Sequence, residues 1–213
     1  MTPGTPVIHV VDDDASFRAA VARLLRASGY QVALYESAAR LLETPPGNEA
    51  GCILLDVRMP GLSGPELQAR LSETGNPLPI VFLTGHGDVP TGVRAIKAGA
   101  EDFLLKPVSK NVLIEAIQRA LARDERTREQ ARWLDSMRAL IATFTPRERE
   151  VFALVVRGKL NKQIAYELGT SERTVKAHRQ AVMQKLKVQS LAEAVAIAER
   201  LGMLAATDRS KNG

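Results

Sequence analysis

Short apolar runs alternate five times with segments of helical periodicity over residues 7–121. The apolar runs are 7–11, 31–35, 52–56, 80–83 and 102–105, and helical patterns occupy 16–28, 38–42, a segment from residue 65, 89–98 and 112–121. Strands that alternate with helices predict βαβ units and a parallel sheet. Because the runs are apolar throughout, they are typical of strands that are buried on both faces. We therefore expect a five-stranded parallel, doubly wound α/β domain.

The rest of the chain has helical patterns alone. Residues 122–141 contain no Gly or Pro and predict a helical linker that directly follows the fifth helix. Thr145, Pro146 and Glu148 form a strong helix start, with a capping residue, Pro at the first helical position and Glu at the third. Four helices follow, at about 146–157, 161–168, 171–186 and 190–202. The predicted divisions are an α/β domain over 1–123, a linker over 124–144, an all-α four-helix domain over 145–207 and a disordered tail over 208–213.

Charge is distributed unevenly along the chain. Residues 1–124 hold 12 Lys and Arg against 14 Asp and Glu, whereas residues 125–213 hold 17 against 10. A basic second domain is the electrostatic footprint expected of a nucleic-acid binder.

The sequence also limits the compartment. Cys52 is the only cysteine, so no internal disulfide forms. No apolar run reaches the roughly 18 residues that span a bilayer, and the first residues lack the basic and apolar regions of a signal peptide. These features predict a cytoplasmic protein without a membrane segment.

Polar side chains follow the predicted strands at the ends where ligands bind in doubly wound sheets. They are two acids after the first strand, one at the end of the third, a hydroxyl after the fourth and an ammonium after the fifth: Asp12, Asp13, Asp56, Thr84 and Lys106. Clustered carboxylates repel one another unless a cation lies between them, and Mg²⁺ is the hard cation that prefers oxygen ligands. Such a set would stabilise phosphoryl transfer to an aspartate.

Four segments, VVDDD, LLDVRMPGLSG, VFLTGHGD and FLLKP, resemble the receiver motifs of two-component response regulators in order and spacing. The resemblance covers about residues 6–123 and implies a flavodoxin-like fold. Within it, the GHGDVP segment resembles the FixJ-like subgroup in particular. It implies that Asp56 accepts a phosphoryl group from a phosphohistidine of a sensor histidine kinase.

The same resemblance assigns the remaining receiver residues. Asp13 and Asp56 would ligate Mg²⁺ directly, together with the backbone carbonyl of Arg58, while Asp12 would act mainly through water. Lys106 would stabilise the phosphoryl group, and Thr84 and Phe103 match the family's switch residues.

The predicted helices at 161–168 and 171–186 are separated by a tight Gly169-Thr170 turn, which is helix-turn-helix spacing. TPREREV, NKQIAYEL, TVKAHR and MQKLKV resemble the LuxR-type helix-turn-helix of the NarL/FixJ group. The resemblance implies that residues 171–186 enter the major groove of DNA. Base-facing positions would be Lys176, Ala177 and Gln180, and phosphate contacts or mixed roles would fall to Lys162, Ser171, Arg173, Thr174 and Arg179.

The combined prediction is a transcriptional regulator that is not a turnover enzyme. Phosphorylation of Asp56 would promote a homodimer, which binds two promoter half-sites and acts on RNA polymerase. Three alternatives stay open. A haloacid-dehalogenase phosphatase also uses a nucleophilic Asp, but it needs a second acid where Arg58 stands. The other two alternatives are a regulator that works without phosphorylation, or a protein-interaction module, and a second domain that binds RNA instead of DNA.

Overall fold

The computed structural model describes residues 5–76, 78–85 and 89–204. The chain divides into two compact units, Met1–Arg128 and Glu129–Gly213. The predicted disordered tail, 208–213, lies outside the described residues, as do positions 86–88 of the GHGDVP segment.

The first unit is built on one parallel sheet. Its strands are β1 (Val7–Val11), β2 (Gln31–Tyr35), β3 (Gly51–Asp56), β4 (Ile80–Thr84) and β5 (Asp102–Leu105), in the order β2-β1-β3-β4-β5. All described pairings are parallel. The predicted five-stranded α/β fold is therefore confirmed.

Helices cover both faces of this sheet, because its strands bury apolar side chains on each side. They are α1 (Ala15–Ala27), α2 (Ala38–Glu43), α3 (Gly64–Glu73), α4 (Val89–Lys97) and α5 (Lys110–Ala142). One apolar cluster includes Leu41, Leu67 and Phe82, and a second includes Leu25 and Ile117. Alternate side chains along each strand serve the two clusters, as the two-residue period of a strand requires.

Helix α5 is continuous through the segment that the sequence predicted as a helical linker. Its buried positions are spaced three or four residues apart and are Leu113, Ala116, Ile117, Ala120 and Asp124. This helix is long enough to span a bilayer, but neither it nor any other described helix is apolar enough to do so.

The second unit contains α6 (Pro146–Val155), α7 (Asn161–Glu167), α8 (Glu172–Leu186) and α9 (Leu191–Arg200). Thr145 and Glu148 cap α6 reciprocally, as predicted. Phe144 and Phe152 meet edge to face at 5.5 Å within one core cluster. A second cluster, which includes Ile164 and Val175, joins α6, α7 and α8.

Candidate phosphoacceptor site and nucleic-acid interface

The strand order brings distant polar residues to one edge of the sheet. β1 and β4 both pair with β3, and β5 pairs with β4. Asp12 directly follows β1, Asp56 ends β3 and Thr84 ends β4. All three are buried, with relative exposures of 1%, 7% and 1%. The carboxyl ends of parallel strands thus create a polar pocket in an otherwise apolar sheet.

Lys106 joins the two buried carboxylates in this pocket. Its Nζ donates to Asp12 Oδ2 at 2.6 Å and to Asp56 Oδ1 at 2.9 Å. The ammonium also lies 4.2 Å from the centroid of the Phe17 ring on α1, within cation–π range. The predicted convergence of Asp12, Asp56 and Lys106 is therefore present in the structure.

The electrostatics of this trio follow from burial and from these hydrogen bonds. Burial raises the pKa of Asp56 above its ordinary value, because it disfavours the charged form. Lys106 opposes this shift, while the nearby charge of Asp12 adds to it. Burial alone would lower the pKa of Lys106, but the hydrogen bonds to both carboxylates outweigh it, and the net pKa is raised. The pKa shift of Asp56 therefore follows mainly from burial, and that of Lys106 from its two carboxylate partners.

Backbone groups hold the two carboxylates in place. Asp12 Oδ1 accepts from the N–H of Asp14 at 2.9 Å, and Asp56 Oδ2 accepts from the N–H of Arg58 at 3.2 Å. Asp14 itself caps α1 by accepting from Ser16 N and Phe17 N, and these bonds lower its pKa. Because Asp14 caps the helix, α1 starts directly after the three consecutive acids Asp12, Asp13 and Asp14.

The donors present suit Mg²⁺, although the predicted three-carboxylate set is not assembled. Within the described ranges, no three His, Cys, Asp or Glu side chains lie close enough to hold one metal ion together. Asp13 is exposed, whereas Asp12 and Asp56 share one ammonium. Mg²⁺ in proteins commonly takes one or two carboxylates and keeps several waters. The two buried carboxylates fit that pattern, and direct ligation by Asp13 and by the Arg58 carbonyl stays a prediction.

The two predicted switch residues lie close to this pocket. Thr84 is buried at the end of β4, and Phe103 is half-buried on β5. The Phe103 ring lies 6.4 Å from the Phe82 ring, tilted by 47°. Gly92 of α4 faces the same ring so closely that a Cβ there would lie 3.2 Å from its Cδ1. The Phe103 ring is thus packed directly against helix α4.

Helix α8 and its capping residue present seven of the eight predicted DNA-contacting side chains, and Lys162 lies on α7. Ser171 caps it by accepting from the N–H of Thr174 at 3.1 Å. Six of the eight candidates are exposed, and they are Lys162, Ser171, Arg173, Lys176, Ala177 and Gln180. Thr174 and Arg179 are half-buried, and Arg179 Nη1 donates to Asn161 Oδ1 at 2.6 Å. The first nine residues of α8 therefore offer an exposed, largely polar face, while Val175 is buried.

Sequence reasoning missed one polar cluster at the opposite edge of the sheet. Asp124 of α5, which the sequence assigns to the first position of the linker, is fully buried. It accepts from Gly51 N at 3.0 Å and from Arg128 Nε at 2.7 Å. Arg128 also donates to the backbone carbonyls of Asn48 and Glu49. The available signal was spacing, because Asp124 lies four residues after buried Ala120.

Models of two protein families match the chain. The response regulator receiver domain matches residues 8–118, and the LuxR family of bacterial regulatory proteins matches residues 142–198. The doubly wound sheet and the helix-turn-helix therefore define a regulator with a signal-receiving domain and a DNA-binding domain. The chain belongs to the two-component response regulators of the NarL/FixJ type. Receiver domains generally bind Mg²⁺ at their phosphorylation site.

Similar proteins cover nearly the whole chain. Nodulation protein W of Bradyrhizobium diazoefficiens is 42% identical over 93% of this chain and 88% of its own length. The solved structure of the response regulator StyR is 45% identical, covers 92% of this chain and 100% of its own, and has a TM-score of 0.77. Full-length FixJ from B. japonicum is 40% identical, with coverages of 95% and 99% and a TM-score of 0.57.

Proposed function

We propose that a sensor histidine kinase phosphorylates Asp56 and that the phosphorylated protein dimerises and binds promoter DNA. The observation that carries this proposal is the position of Lys106, whose Nζ lies 2.6 Å from Asp12 Oδ2 and 2.9 Å from Asp56 Oδ1. One ammonium between two buried carboxylates leaves an excess of negative charge beside a potential nucleophile. That arrangement fits a role in phosphoryl transfer better than it fits the role of a purely structural ion pair.

The transfer joins an Asp56 carboxylate oxygen to phosphorus while the bond from phosphorus to the kinase imidazole breaks. The imidazole nitrogen keeps the bonding electrons and takes a proton from solvent. Lys106 neutralises charge that develops on the phosphoryl oxygens, and the Thr84 hydroxyl donates to one of them. Positioned charge of this kind is the main source of catalysis in phosphoryl transfer.

Mg²⁺ would be held directly by Asp56, Asp13 and the Arg58 carbonyl, and through water by Asp12. When it is bound, Mg²⁺ supplies further positive charge to the phosphoryl oxygens. The backbone N–H of Arg58 already fixes one oxygen of Asp56. The chain itself accepts the phosphoryl group and is not a turnover enzyme.

Dimerisation would follow from a change at the Thr84 and Phe103 positions. Phosphorylation adds about −1.5 to −2 charges, and we infer that Thr84 turns toward them while the Phe103 ring moves inward. Large apolar side chains are already exposed on the adjoining surface, Val93 and Ile96 of α4 and Leu105 of β5, at 48%, 45% and 56%. An apolar surface of this kind suits a second copy of the chain.

The dimer would place two α8 helices on two DNA half-sites. In this proposal Lys176, Ala177 and Gln180 face bases. The capping Ser171 joins Arg173, Thr174, Arg179 and Lys162 at phosphates. Support comes from the exposed polar face of α8 and from its capped N-terminus, where backbone N–H groups favour phosphate.

In this proposal, residues 1–123 form the receiver domain, residues 124–144 the linker and residues 145–207 the DNA-binding domain. The receiver match, residues 8–118, lies inside the first of these ranges, and the LuxR match, residues 142–198, begins three residues before the third. We further propose that the protein works in the cytoplasm and contacts RNA polymerase at its promoters.

The experiment measures incorporation of phosphate from acetyl phosphate with Mg²⁺, followed by molecular mass in solution and DNA affinity. Wild type should be labelled, become dimeric and bind DNA more tightly. Asp56→Asn should lose all three responses. Asp135→Asn is the matched control, because that carboxylate is 72% exposed on α5 and pairs only with Arg138 among the described residues.

The alternatives give different outcomes in the same assay. Release of phosphate from general phosphate esters with repeated turnover would favour a phosphatase. Labelling that leaves mass and DNA affinity unchanged would contradict the proposed switch. The assignment of α8 would be contradicted if the double substitution Lys176→Ala and Gln180→Ala left DNA binding intact while the control Arg138→Ala, at an exposed residue, abolished it.

A further inference from the structure

The aromatic ring of Phe17 lies against the ammonium of Lys106. Phe17 belongs to the first turn of α1, and its ring centroid is 4.2 Å from Lys106 Nζ. Phe17 is half-buried, and only 17% of the Lys106 side chain is exposed. An aromatic face attracts a cation more strongly where water is excluded. The ring is therefore a third partner of an ammonium that already pairs with Asp12 and Asp56.

The surroundings of this contact are fixed on both sides. The N–H of Phe17 donates to Asp14 Oδ1 at 3.1 Å, and its ring packs against the apolar cluster that includes Ile117. The backbone N–H of Lys106 donates to the carbonyl of Thr84 at 2.7 Å. Only the four-carbon stem of the lysine, which is intrinsically flexible, lies between these fixed points. The ring thus offers a fixed surface to the flexible part of the pair.

Phosphoryl transfer makes such a surface useful. Lys106 Nζ starts 2.9 Å from Asp56 Oδ1, and in the proposed reaction it neutralises the oxygens of the incoming phosphoryl group. As Asp56 becomes esterified, its oxygens lose negative charge and hold the ammonium less strongly. The attraction to the Phe17 ring depends only on the charge of the ammonium, so it persists while the carboxylate changes. Without the ring, the flexible stem could carry the ammonium out into solvent.

We propose that the face of the Phe17 ring positions the Lys106 ammonium for phosphoryl transfer to Asp56. Phe17 is a positioning residue, because it acts through Lys106. The inference rests on the proposed function, since it concerns the same transfer. It adds a side chain of α1 to a pocket whose other members follow the strands of the sheet.

The test separates the electrostatics of the ring from its packing. In the full-length protein, Phe17 is replaced by mono-, di- and trifluorinated phenylalanine, which keep nearly the same shape but have a progressively less negative ring face. The rate of labelling by acetyl phosphate with Mg²⁺ is measured. Its logarithm should fall with each fluorine, to a total loss of about fivefold. Phe17→Leu keeps an apolar side chain without a ring and should show a similar loss.

Two variants serve as controls. Phe17→Tyr keeps the ring face and should be labelled within about twofold of the wild-type rate. Leu24→Ala shortens another side chain of α1 that packs against the same apolar cluster. It should lower stability in urea unfolding and leave the rate of labelling unchanged.

A spectroscopic measurement tests the contact without phosphodonor or metal. The ring current of Phe17 should shift the ε-methylene protons of Lys106 upfield in the NMR spectrum of protein that carries ¹³C-labelled lysine. Lys106→Gln assigns the signal, because it removes that lysine alone. The upfield shift should persist in Phe17→Tyr and vanish in Phe17→Leu.

The outcomes distinguish this proposal from its alternatives. Equal rates across the fluorinated series, together with slow labelling of Phe17→Leu, would overturn it in favour of packing. Labelling of Phe17→Leu at the wild-type rate, or a Lys106 signal that is the same in wild type and Phe17→Leu, would overturn it outright. Failure of wild type itself to be labelled would instead overturn the proposed function, and the role of Phe17 with it, even where the upfield shift is present.

Discussion

Asp124 Oδ2 accepts a hydrogen bond from the backbone N–H of Gly51 at 3.0 Å, which joins α5 to the first residue of β3 across 73 positions of sequence. The same oxygen accepts from Arg128 Nε at 2.7 Å. Asp124 is fully buried, and Arg128 continues to the carbonyls of Asn48 and Glu49. The pair therefore fastens α5 to the edge of the sheet opposite the phosphoacceptor pocket.

Replacing Asp124 should destabilise the first unit strongly. Asp124→Ala leaves the Gly51 N–H and the Arg128 guanidinium without their carboxylate, and breaking a buried pair in this way costs about 3–5 kcal/mol. Urea unfolding of the full chain, followed by circular dichroism, measures the loss. Asp135→Ala removes an exposed carboxylate from the same helix and should change stability by less than about 0.5 kcal/mol. Equal effects of the two substitutions would contradict the role assigned to Asp124.

Neutralising Lys106 should strengthen Mg²⁺ binding. Lys106→Gln removes a positive charge that contacts both Asp12 and Asp56. A unit charge at 4 Å is worth about 1 kcal/mol even in bulk water, so affinity should rise at least about fivefold. Isothermal titration calorimetry measures the change, with the exposed Lys110→Gln as control. Unchanged or weaker Mg²⁺ binding by Lys106→Gln would show that the ion does not lie near this ammonium.

Adding one carbon at Gly64 should slow phosphorylation. Gly64 begins α3, and a Cβ there would lie 2.3 Å from the backbone oxygen of Asp56 and 2.9 Å from the Phe82 ring. Because these atoms are packed, Gly64→Ala must displace the end of β3, at a cost of about 1–3 kcal/mol. The rate of labelling by acetyl phosphate should fall. Gly47→Ala meets only the flexible Glu49 side chain and should be labelled at the wild-type rate.

A second glycine should affect the proposed switch. Gly92→Ala places a carbon 3.2–3.4 Å from three atoms of the Phe103 ring. If that ring moves during activation, crowding its present position should raise the dimeric fraction without a phosphodonor. Analytical ultracentrifugation measures that fraction. The effect should vanish in a Phe103→Leu background, and an equal effect there would mean that Gly92 acts through something other than the ring.

The second unit should lose stability at low pH through Glu148. Lys185 and then the backbone N–H of Thr145 lower the pKa of this carboxyl below its ordinary value of 4.5. The ionised form therefore stabilises the fold above pH 4.5, and this contribution is lost as the pH falls from there through the lower pKa of the folded state. Glu148→Gln should show a smaller drop in melting temperature over that range. Fluorescence of Trp133, the only tryptophan, reports on this unit.

Glu150→Gln is the matched control for the pH experiment. Its carboxylate is half-exposed and pairs with Arg147 one turn away. The control should keep the wild-type pH dependence. An identical drop in melting temperature for wild type and Glu148→Gln would exclude Glu148 as a source of acid sensitivity.

The predicted elements came from local patterns and agree closely with the structure. All five strands lie where apolar runs predicted them, and the Thr145 cap begins α6 as expected. Such features depend on neighbouring residues alone, because side-chain periodicity and capping act within a few positions. The strand-end residues Asp12, Asp56 and Lys106 could also be chosen in advance, since parallel strands share one ligand-binding edge.

Contacts between distant residues were decided by the tertiary structure alone. The sequence determined that acids and a lysine follow β1, β3 and β5, but only the packed sheet places Lys106 Nζ between Asp12 and Asp56 while Asp13 faces solvent. Likewise, the sequence predicts that Asp124 begins the linker, yet the first unit buries this residue, and Gly51 N and Arg128 Nε both donate to its Oδ2. Burial of a charge depends on partners that arrive from elsewhere in the chain, and local sequence does not specify them.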